Sequence, residues 1–508
     1  MTPLSKRSIF PATVVVFLAV LWVKAIYPSA SGIADTDFFW HLTYGQWMIE
    51  HSAIPSVDSF SWTFSGAPYQ LTQWLGEVAI GAAYNAWGLE GTKAMSVTLA
   101  AVIIGLNWAA AKRFVDSTMA LGLAITCNLV QIVTPMRPQL FSFAMLALVV
   151  YLAVSWLETG RQRYLVLVVP VMVLWVNLHG GFVVGLMLLG LLALGRTAEV
   201  WKEKKLFAER SSLGFLWGIV VAATLATCLN PYGYKALTAV LMIGGLQSSN
   251  VISEWMPVNI TSELGWFYLL NLIPFMAIVI ISGVKPRISY ALIAGFFLVF
   301  GFLANRQVAL CAAVMAPLTA SVLGRTEHYA RMLPTIRNPD HPIFFGFLSL
   351  CMLISMPLIV TMGNTALANS LNTQYPIKAT DFLVESGLTT RVLSDTLESS
   401  YLIHRRVPVF VDGRMDLYRD RFFFEWYLAS RAAPGWNGFI EKHAPEAMLL
   451  RVDMAIRQAA LAEGKWKQVY QDARYSILVP TQSALPEVPI VPVEYLSPEG
   501  KIIGKYMP

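Results

Sequence analysis

Long apolar runs separated by short polar turns make up most of the first 363 residues. About eleven of these runs are interpreted as membrane-spanning α-helices, with bounds defined to within several residues, since a span needs roughly 20 mostly apolar residues. They lie at residues 9–28, 93–111, 117–134, 140–157, 164–178, 182–197, 212–229, 266–283, 288–304, 308–323 and 343–363. The pattern predicts a polytopic α-helical membrane domain over residues 1–363.

Two further apolar segments do not fit a crossing. Residues 71–88 include Gln73 and Glu77, which favours a helix lying at the membrane interface. Residues 235–246 are too short to span and predict a re-entrant or interfacial helix. We therefore predict a first outer loop over residues 29–90 that contains interfacial helices.

The composition supports a membrane protein. Hydrophobic residues make up 56% of the 508 residues and charged residues 13%, whereas soluble domains average about 25% charged residues. The net charge of +6 comes from Lys and Arg residues scattered among short loops instead of one basic patch. No nucleic-acid partner is expected from such a distribution.

The positions of Lys and Arg predict the orientation in the membrane. Every second connection is basic, as at residues 112–113 and 196–210, and the connections between them are nearly free of basic residues. The exceptions are Arg137 and Arg306, each alone in its turn, with Lys235 further out. Because cytoplasmic loops are the basic ones, we predict a cytoplasmic N-terminus and an extracytoplasmic C-terminal region.

Residues 364–508 have a different pattern, in which charges are interspersed among shorter apolar runs. Strands alternating with helices are typical of an α/β domain. The predicted strands are 391–395, 407–413, 447–451 and 473–480, and the predicted helices are 399–405 and 422–431. We therefore predict a small extracytoplasmic α/β domain over residues 364–508.

The turns predicted to lie outside collect most of the ionisable residues that could carry chemistry. Ionisable groups beside the hydrocarbon are costly, so they usually face a cavity and serve a function. The candidates are Asp35, Asp37, His41, Arg137, His179, Glu254, Arg306, Asp412 and Arg414. Two carboxylates with several cations suit phosphate transfer, or glycosyl transfer from a phosphate carrier.

Each residue type has a defined part in that chemistry. Asp37 or Asp35 can accept a proton from an attacking hydroxyl, and the same pair would be the ligands of a divalent metal if one takes part. Arg137 and Arg306 suit a leaving phosphate because a guanidinium donates two parallel hydrogen bonds. His41, His179, Glu254, Asp412 and Arg414 complete the predicted substrate-binding set.

Structural roles compete with these functional ones. Asp35 could only cap a helix, and His41 could be a hydrogen-bonded interfacial residue. Arg137 could anchor its helix at the headgroups. "NLHGGF", residues 177–182, could serve helix packing through its glycines. Asp412 and Arg414 could form an internal salt bridge of the C-terminal domain.

The chain resembles the GT-C superfamily of integral-membrane glycosyltransferases, which includes protein mannosyltransferases and lipid A aminoarabinose transferases. The resemblance rests on an acidic first outer loop, "ADTDFFWH" at residues 34–41, followed by many spans and an outer C-terminal domain. The phrases "RPQLFS", "NLHGGF", "NPYG" and "VFVDGRMDLY" are also similar, in the same order, to a bacterial membrane-protein group of poorly defined substrate.

The resemblance implies a transferase that uses a polyprenyl-phosphate-linked sugar and a lipid, glycan or protein acceptor. It also implies a bacterial cytoplasmic membrane location and a catalytic role for Asp37 or Asp35. Three rival functions are a transporter or flippase for a lipid-linked saccharide, a polysaccharide polymerase or ligase, and a scaffold. Ionisable residues at span ends, without a repeat between the halves, favour an enzyme over a transporter.

Overall fold

The computed structural model describes residues 10–27, 35–336, 371 and 374–492, so the predicted span at 343–363 lies outside the described residues. The α-helices are Phe10–Ile26, Phe38–His51, Trp74–Ala111, Ser117–Cys127, Val130–Val133, Gln139–Thr159, Arg163–Val166, Val168–Leu178, Phe182–Lys202, Arg210–Ala226, Lys235–Gly244, Glu263–Ser282, Ile288–Leu303, Val308–Leu323, Glu327–Ile336, Ile377–Glu385, Thr396–His404, Met415–Ser430, Trp436–His443 and Ala455–Glu463. Short 3₁₀ helices are Gln247–Val251, Ser253–Trp255 and Asn305–Gln307.

The chain forms two compact units. The helical unit contains, among the described residues, 10–27, 87–240 and 249–336. The sheet-containing unit contains 35–86, 241–248, 371 and 374–492. The second unit therefore combines residues 35–86 and 241–248 with the described residues of the C-terminal region.

The helical character predicted from the apolar runs is confirmed. Among the described residues, five helices are long and apolar enough to span a membrane, and six shorter apolar helices accompany them. The five are Trp74–Ala111, Gln139–Thr159, Phe182–Lys202, Glu263–Ser282 and the stretch Asn305–Leu323. The total of about eleven spans stays a prediction, because several apolar helices are shorter than a full crossing.

The helix Val308–Leu323 is the core of the helical unit, since every residue from 308 to 322 is buried. Small alanines dominate it, which lets neighbouring helices approach closely. Two buried amides bond to its backbone: Asn107 Nδ2 donates to Ala313 O at 3.0 Å, and Gln131 Nε2 donates to Ala309 O at 3.1 Å. Backbone carbonyls thus satisfy the amide donors of these two side chains, which would be costly to bury unpaired.

The sheet-containing unit has a four-stranded mixed sheet in the order β1-β2-β4-β3. The strands are β1 (Val392–Ser394), β2 (Ala447–Arg451), β3 (Trp466–Gln471) and β4 (Tyr475–Pro480). β1 runs parallel to β2, and the other two pairings are antiparallel. The predicted small α/β region in the C-terminal part of the chain is confirmed.

Two details of the strand prediction were wrong. Residues 407–413 do not join the sheet; Val409 instead pairs with the first outer loop, accepting from Trp62 N at 3.0 Å and donating to Phe60 O at 2.9 Å. Its apolar pattern reflects burial of Val409 and Phe410 in the core. β3 was not predicted because half of its sequence, "WKQVYQ", is polar.

The helix Trp74–Ala111 is broken at Trp87 and Gly88, where Gly88 has a φ of +60°. This left-handed conformation is one that glycine adopts without steric cost. The break separates the segment that carries Glu77 from the long apolar stretch that follows. It also coincides with the boundary between the two units.

Two glycines set how closely the helix Phe38–His51 packs against residues 74–86. A Cβ at Gly81 would lie 2.7 Å from the carbonyl carbon of Gly45, and a Cβ at Gly45 would overlap the Glu77 carbonyl oxygen. The backbones are therefore in direct contact. This crossing brings His41 beside Gln73 and Glu77.

We expect Gly81→Ala to lower the thermal unfolding midpoint of the detergent-solubilised protein, because the new methyl group meets backbone atoms that have no alternative rotamer. Overpacking of this kind costs about 1–3 kcal/mol. The matched control is Gly438→Ala, whose Cβ meets open space on the helix Trp436–His443. The control should be neutral or slightly stabilising, and equal midpoints in the two variants would contradict the close crossing.

Candidate functional site

The acidic motif begins the helix Phe38–His51 within the sheet-containing unit. Asp35 is buried, and its Oδ1 accepts the Asp37 backbone N–H at 2.8 Å. Its carbonyl also accepts from the Tyr375 hydroxyl. Asp37 occupies the N-cap position, is half-buried, and makes no capping hydrogen bond with its side chain. Asp35 thus holds the turn, whereas the Asp37 carboxylate is not used as a cap.

His41 lies one helical turn after Asp37 and is buried. Its Nδ1 is 2.8 Å from Glu77 Oε1, and Gln73 Nε2 donates to the same Glu77 oxygen at 3.0 Å. Glu77 is fully buried. The carboxylate–imidazole pair fixes the ring orientation, because Nδ1 has a defined partner.

Asp412 and Arg414 lie in a buried ion cluster of the same unit. Arg414 Nη2 is 2.5 Å from Asp412 Oδ2, and Arg414 Nη1 is 2.6 Å from Asp58 Oδ1. Tyr44 accepts from the same guanidinium at 2.5 Å, and Tyr418 donates to Asp412 Oδ2 at 2.9 Å. The Arg414 side chain is fully buried. The internal salt bridge considered from the sequence is therefore present, and it extends to Asp58.

In the helical unit, Arg137, Glu254, Trp255 and Arg306 lie together at the ends of predicted spans. Arg137 Nη1 is 2.6 Å from Glu254 Oε1, and the Arg306 guanidinium lies 4.3 Å from the centre of the Trp255 ring. Burial would raise the pKa of Glu254, but the charges of Arg137 and Arg306 outweigh it and hold the pKa below its usual value. Glu254 is consequently an anion held by two cations.

His179 completes this cluster, and its neighbours determine its tautomer. Trp175 Nε1 donates to Ser142 Oγ at 2.7 Å, and Ser142 Oγ lies 2.8 Å from His179 Nδ1. The Gly181 N–H also donates to Nδ1, at 3.0 Å. Because Nδ1 accepts, the proton of the neutral ring must be on Nε2.

His179 is neutral near pH 7. The ring keeps some accessible surface, but protein atoms surround it densely. This burial, together with the charges of Arg306 and Arg137, lowers the pKa of His179 to about 3. The imidazole therefore offers an uncharged N–H donor beside two guanidinium groups. This set of donors suits the oxygens of a phosphate group.

Among the residues that the structure describes, the side chains do not form a metal site by themselves. Among residues 35–336 and 374–492, no group of three or more His, Cys, Asp or Glu residues could hold an ion. Asp35, one of the two predicted ligands, uses one carboxylate oxygen for the Asp37 N–H. Protein sites for hard cations usually supply more oxygen ligands than remain here.

The predicted site residues thus fall into separate groups by unit. Arg137, His179, Glu254 and Arg306 meet in the helical unit, whereas Asp35, Asp37 and His41 share one helix start in the sheet-containing unit. Glu77, Asp58 and Tyr44 were missed as members of these clusters. Glu77 carried a signal, since an acid within an apolar run usually has a specific partner.

The fold defines the class of architecture: helices long and apolar enough to span a membrane are combined with a small mixed sheet, and solved structures of ArnT and of an oligosaccharyltransferase have a similar fold. ArnT from Cupriavidus metallidurans bound to undecaprenyl phosphate matches over 93% of this chain and 99% of its own, with 13% identity and a TM-score of 0.54. At this level of identity the likeness establishes the fold alone.

Two structures from Archaeoglobus fulgidus are also similar, each with 13% identity and a TM-score of 0.52. One is the oligosaccharyltransferase in the apo form, which matches over 92% of this chain and 75% of its own. The other is AglB in complex with an inhibitory peptide and a dolichol-phosphate, which matches over 93% of this chain and 75% of its own. No protein-family model and no curated protein sequence matches the chain.

We expect Arg414→Ala to destabilise the sheet-containing unit strongly, since it leaves Asp412 and Asp58 as buried, uncompensated charges. Removing one partner of a buried pair costs about 3–5 kcal/mol. The matched control is Arg405→Ala, which breaks a partly exposed pair with Asp381 at 2.6 Å and should cost about 0–1 kcal/mol. Thermal unfolding and limited proteolysis measure both. Equal effects would show that the Arg414 cluster is not a buried ion network.

We expect the His179 ring to stay neutral, with its proton on Nε2, from pH 5 to pH 8. A histidine with the ordinary pKa of about 6.5 would lose its charge within that window, whereas the lowered pKa places the titration near pH 3. Nitrogen-15 NMR of histidine-labelled protein measures tautomer and charge, and the His179→Gln spectrum identifies the signal by its loss. A titrating signal near pH 6.5 would contradict the geometry.

Proposed function

We propose that this protein is a membrane glycosyltransferase that moves a sugar from a polyprenyl-phosphate donor to an acceptor hydroxyl. The reaction takes place at the outer face of the bacterial cytoplasmic membrane. The proposal rests chiefly on one observation, the phosphate-binding character of the cluster formed by Arg137, Arg306 and neutral His179. The fold likeness adds support, because ArnT was crystallised with undecaprenyl phosphate and AglB with a dolichol-phosphate.

The cluster in the helical unit binds the phosphate of the donor. Two guanidinium groups supply charge and paired hydrogen bonds, and the Nε2–H of His179 supplies a neutral donor. Glu254 pairs with the Arg137 guanidinium at 2.6 Å. An anion that binds Arg137 must compete with the Glu254 carboxylate. The lipid tail remains in the hydrocarbon, so the phosphate is held at the membrane surface where these span ends lie.

Asp37 is the general base. Its carboxylate is half-buried and is not used to cap the helix, so it combines access for an acceptor with a fixed backbone position. Asp35 instead orients the turn by accepting the Asp37 N–H. His41 and its partner Glu77 stabilise the first turn of the same helix.

The transfer is an inverting displacement at the anomeric carbon of the sugar. The acceptor oxygen forms a bond to that carbon while its proton passes to the Asp37 carboxylate. The bond between the anomeric carbon and the phosphate oxygen breaks, and its electron pair leaves with the polyprenyl phosphate. The arginines and His179 stabilise the negative charge that develops on this leaving group, as electrostatic stabilisation of a transition state requires.

Orientation follows from the basic loops. The N-terminus is in the cytoplasm, and the turns that carry Arg137, His179 and Arg306 face the outside. The C-terminal α/β region is extracytoplasmic, where a lipid, glycan or protein acceptor is available. Asp412 and Arg414 act through the internal ion cluster, which fixes the structure of that region.

We expect Asp37→Asn to abolish release of lipid phosphate from polyprenyl-phosphate sugars by protein in nanodiscs, lowering the rate by about 10²–10⁴-fold. Asparagine has the same shape but cannot accept the proton. The matched control is Asp35→Asn, which keeps an oxygen for the turn and should retain most of the rate, because Asn and Asp are equivalent caps. Thermal midpoints of both variants should match the wild type.

Other outcomes have defined meanings. If only Asp35→Asn lost release of lipid phosphate, Asp35 would be the general base and Asp37 would orient the turn. Release that is equal in all three proteins would contradict general-base catalysis by this motif and favour a polymerase or ligase. An absence of release with every donor, combined with movement of the intact lipid-linked sugar across the bilayer, would favour a flippase.

A further inference from the structure

Gly413 lies against the carboxylate of Asp37. A Cβ built on Gly413 would be 2.5 Å from Asp37 Oδ1, 3.1 Å from its Cγ and 3.4 Å from Oδ2. The two residues are 376 positions apart in the sequence. Both belong to the sheet-containing unit.

Backbone strain does not explain a glycine at this position. The φ of Gly413 lies outside the left-handed region, unlike that of Gly66 or Gly88. Other residues could therefore adopt the same backbone conformation. What Gly413 provides is room, since the Asp37 carboxylate occupies the space where any side chain would begin.

The residues on either side hold Gly413 in place. Asp412 Oδ1 accepts from the Arg414 backbone N–H at 2.9 Å and from Arg414 Nε at 2.8 Å, which closes the turn around Gly413. Arg414 also bonds to Tyr44, which lies on the helix that Asp37 begins. The ion cluster consequently ties the turn to the helix of Asp37.

We propose that Gly413 is a positioning residue for Asp37: the turn of residues 412–414 sets the carboxylate rotamer by backbone contact. The inference rests on the proposed function, in which Asp37 is the base. It assigns the buried ion cluster a role in catalysis besides stability. The general-base step needs such control, because a misplacement of about 1 Å can reduce a rate about 10²-fold.

A methyl group at Gly413 should therefore disturb the position of the base more than the fold. The atom that it meets is the end of a side chain that can rotate away, so the structural cost is small. The carboxylate then leaves its catalytic position. We expect Gly413→Ala to lower kcat about 10- to 100-fold, to leave the donor KM unchanged, and to shift the acidic limb of the pH–kcat profile.

The experiment uses the full-length protein in nanodiscs with the polyprenyl-phosphate sugar that the wild type accepts. Gly438→Ala is the matched control, because its Cβ meets nothing within 4 Å, and it should keep the wild-type kcat. In an Asp37→Asn background Gly413→Ala should cause no further loss, since both changes act on one step. A wild-type kcat in Gly413→Ala, or a full additional loss in the double variant, would overturn the proposal.

A stability measurement separates failure of this inference from failure of the proposed function. Gly413→Val adds more volume than one rotated carboxylate can accommodate, so it should lower the thermal midpoint. The loss should shrink when Asp37→Ala is combined with it, because the group that it meets is gone. Equal losses in both backgrounds would overturn the contact between Gly413 and Asp37, whether or not the protein transfers a sugar.

Discussion

One buried guanidinium organises the sheet-containing unit. Arg414 joins its own turn, which contains Asp412, to Tyr44 and Asp58, which lie 370 and 356 positions earlier in the sequence. A fully buried cation must be matched by nearby anions and hydrogen-bond acceptors, because desolvation of an unpaired charge costs several kcal/mol. The cluster therefore makes the folded structure of residues 35–86 depend on that of the C-terminal region.

Residues 35–86 take part in the same packed structure as the C-terminal region. Residues 35–86 do not form a domain of their own, and their Tyr44 and Tyr69 side chains are buried in the same hydrophobic core as Val409 and Phe410. The turn that carries Asp37 is thus part of a packed structure instead of a mobile loop. The proposed role of Asp37 as a base requires such support, since the geometry of a catalytic group must hold within about 0.5 Å.

In the helical unit, the main electrostatic feature is a group of arginines beside an uncharged histidine. Arginines at span ends are stabilised by Glu254 and by the Trp255 ring, whereas His179 is kept uncharged by burial and by the same arginines. A neutral imidazole next to two cations adds a hydrogen-bond donor without adding repulsion. The imidazole is hydrogen-bonded to Ser142 of the motif "RPQLFS" and to Gly181 of its own motif "NLHGGF". The two motifs, which are separate in the sequence, therefore form one hydrogen-bond network.

The sequence by itself determined the class of the protein. Apolar run length predicted the helical spans, and strand–helix alternation predicted the C-terminal α/β region, because both signals are local and repeat along the chain. The acidic motif and the isolated arginines were also visible, since charge in an apolar chain is rare and costly.

Only the tertiary structure decided which side chains meet. Nothing near Asp37 in the sequence indicates Gly413, and nothing near Asp412 indicates Asp58. The pairing of Val409 with residues 60–62 was hidden because its partner is distant in the chain. The edge strand Trp466–Gln471 pairs with the next strand and was missed because half of its residues are polar. Three features depend on residues that are neighbours in space: the ion pairs, the close backbone contacts at glycine and the tautomer of His179. The periodicity of the sequence does not predict which residues become such neighbours.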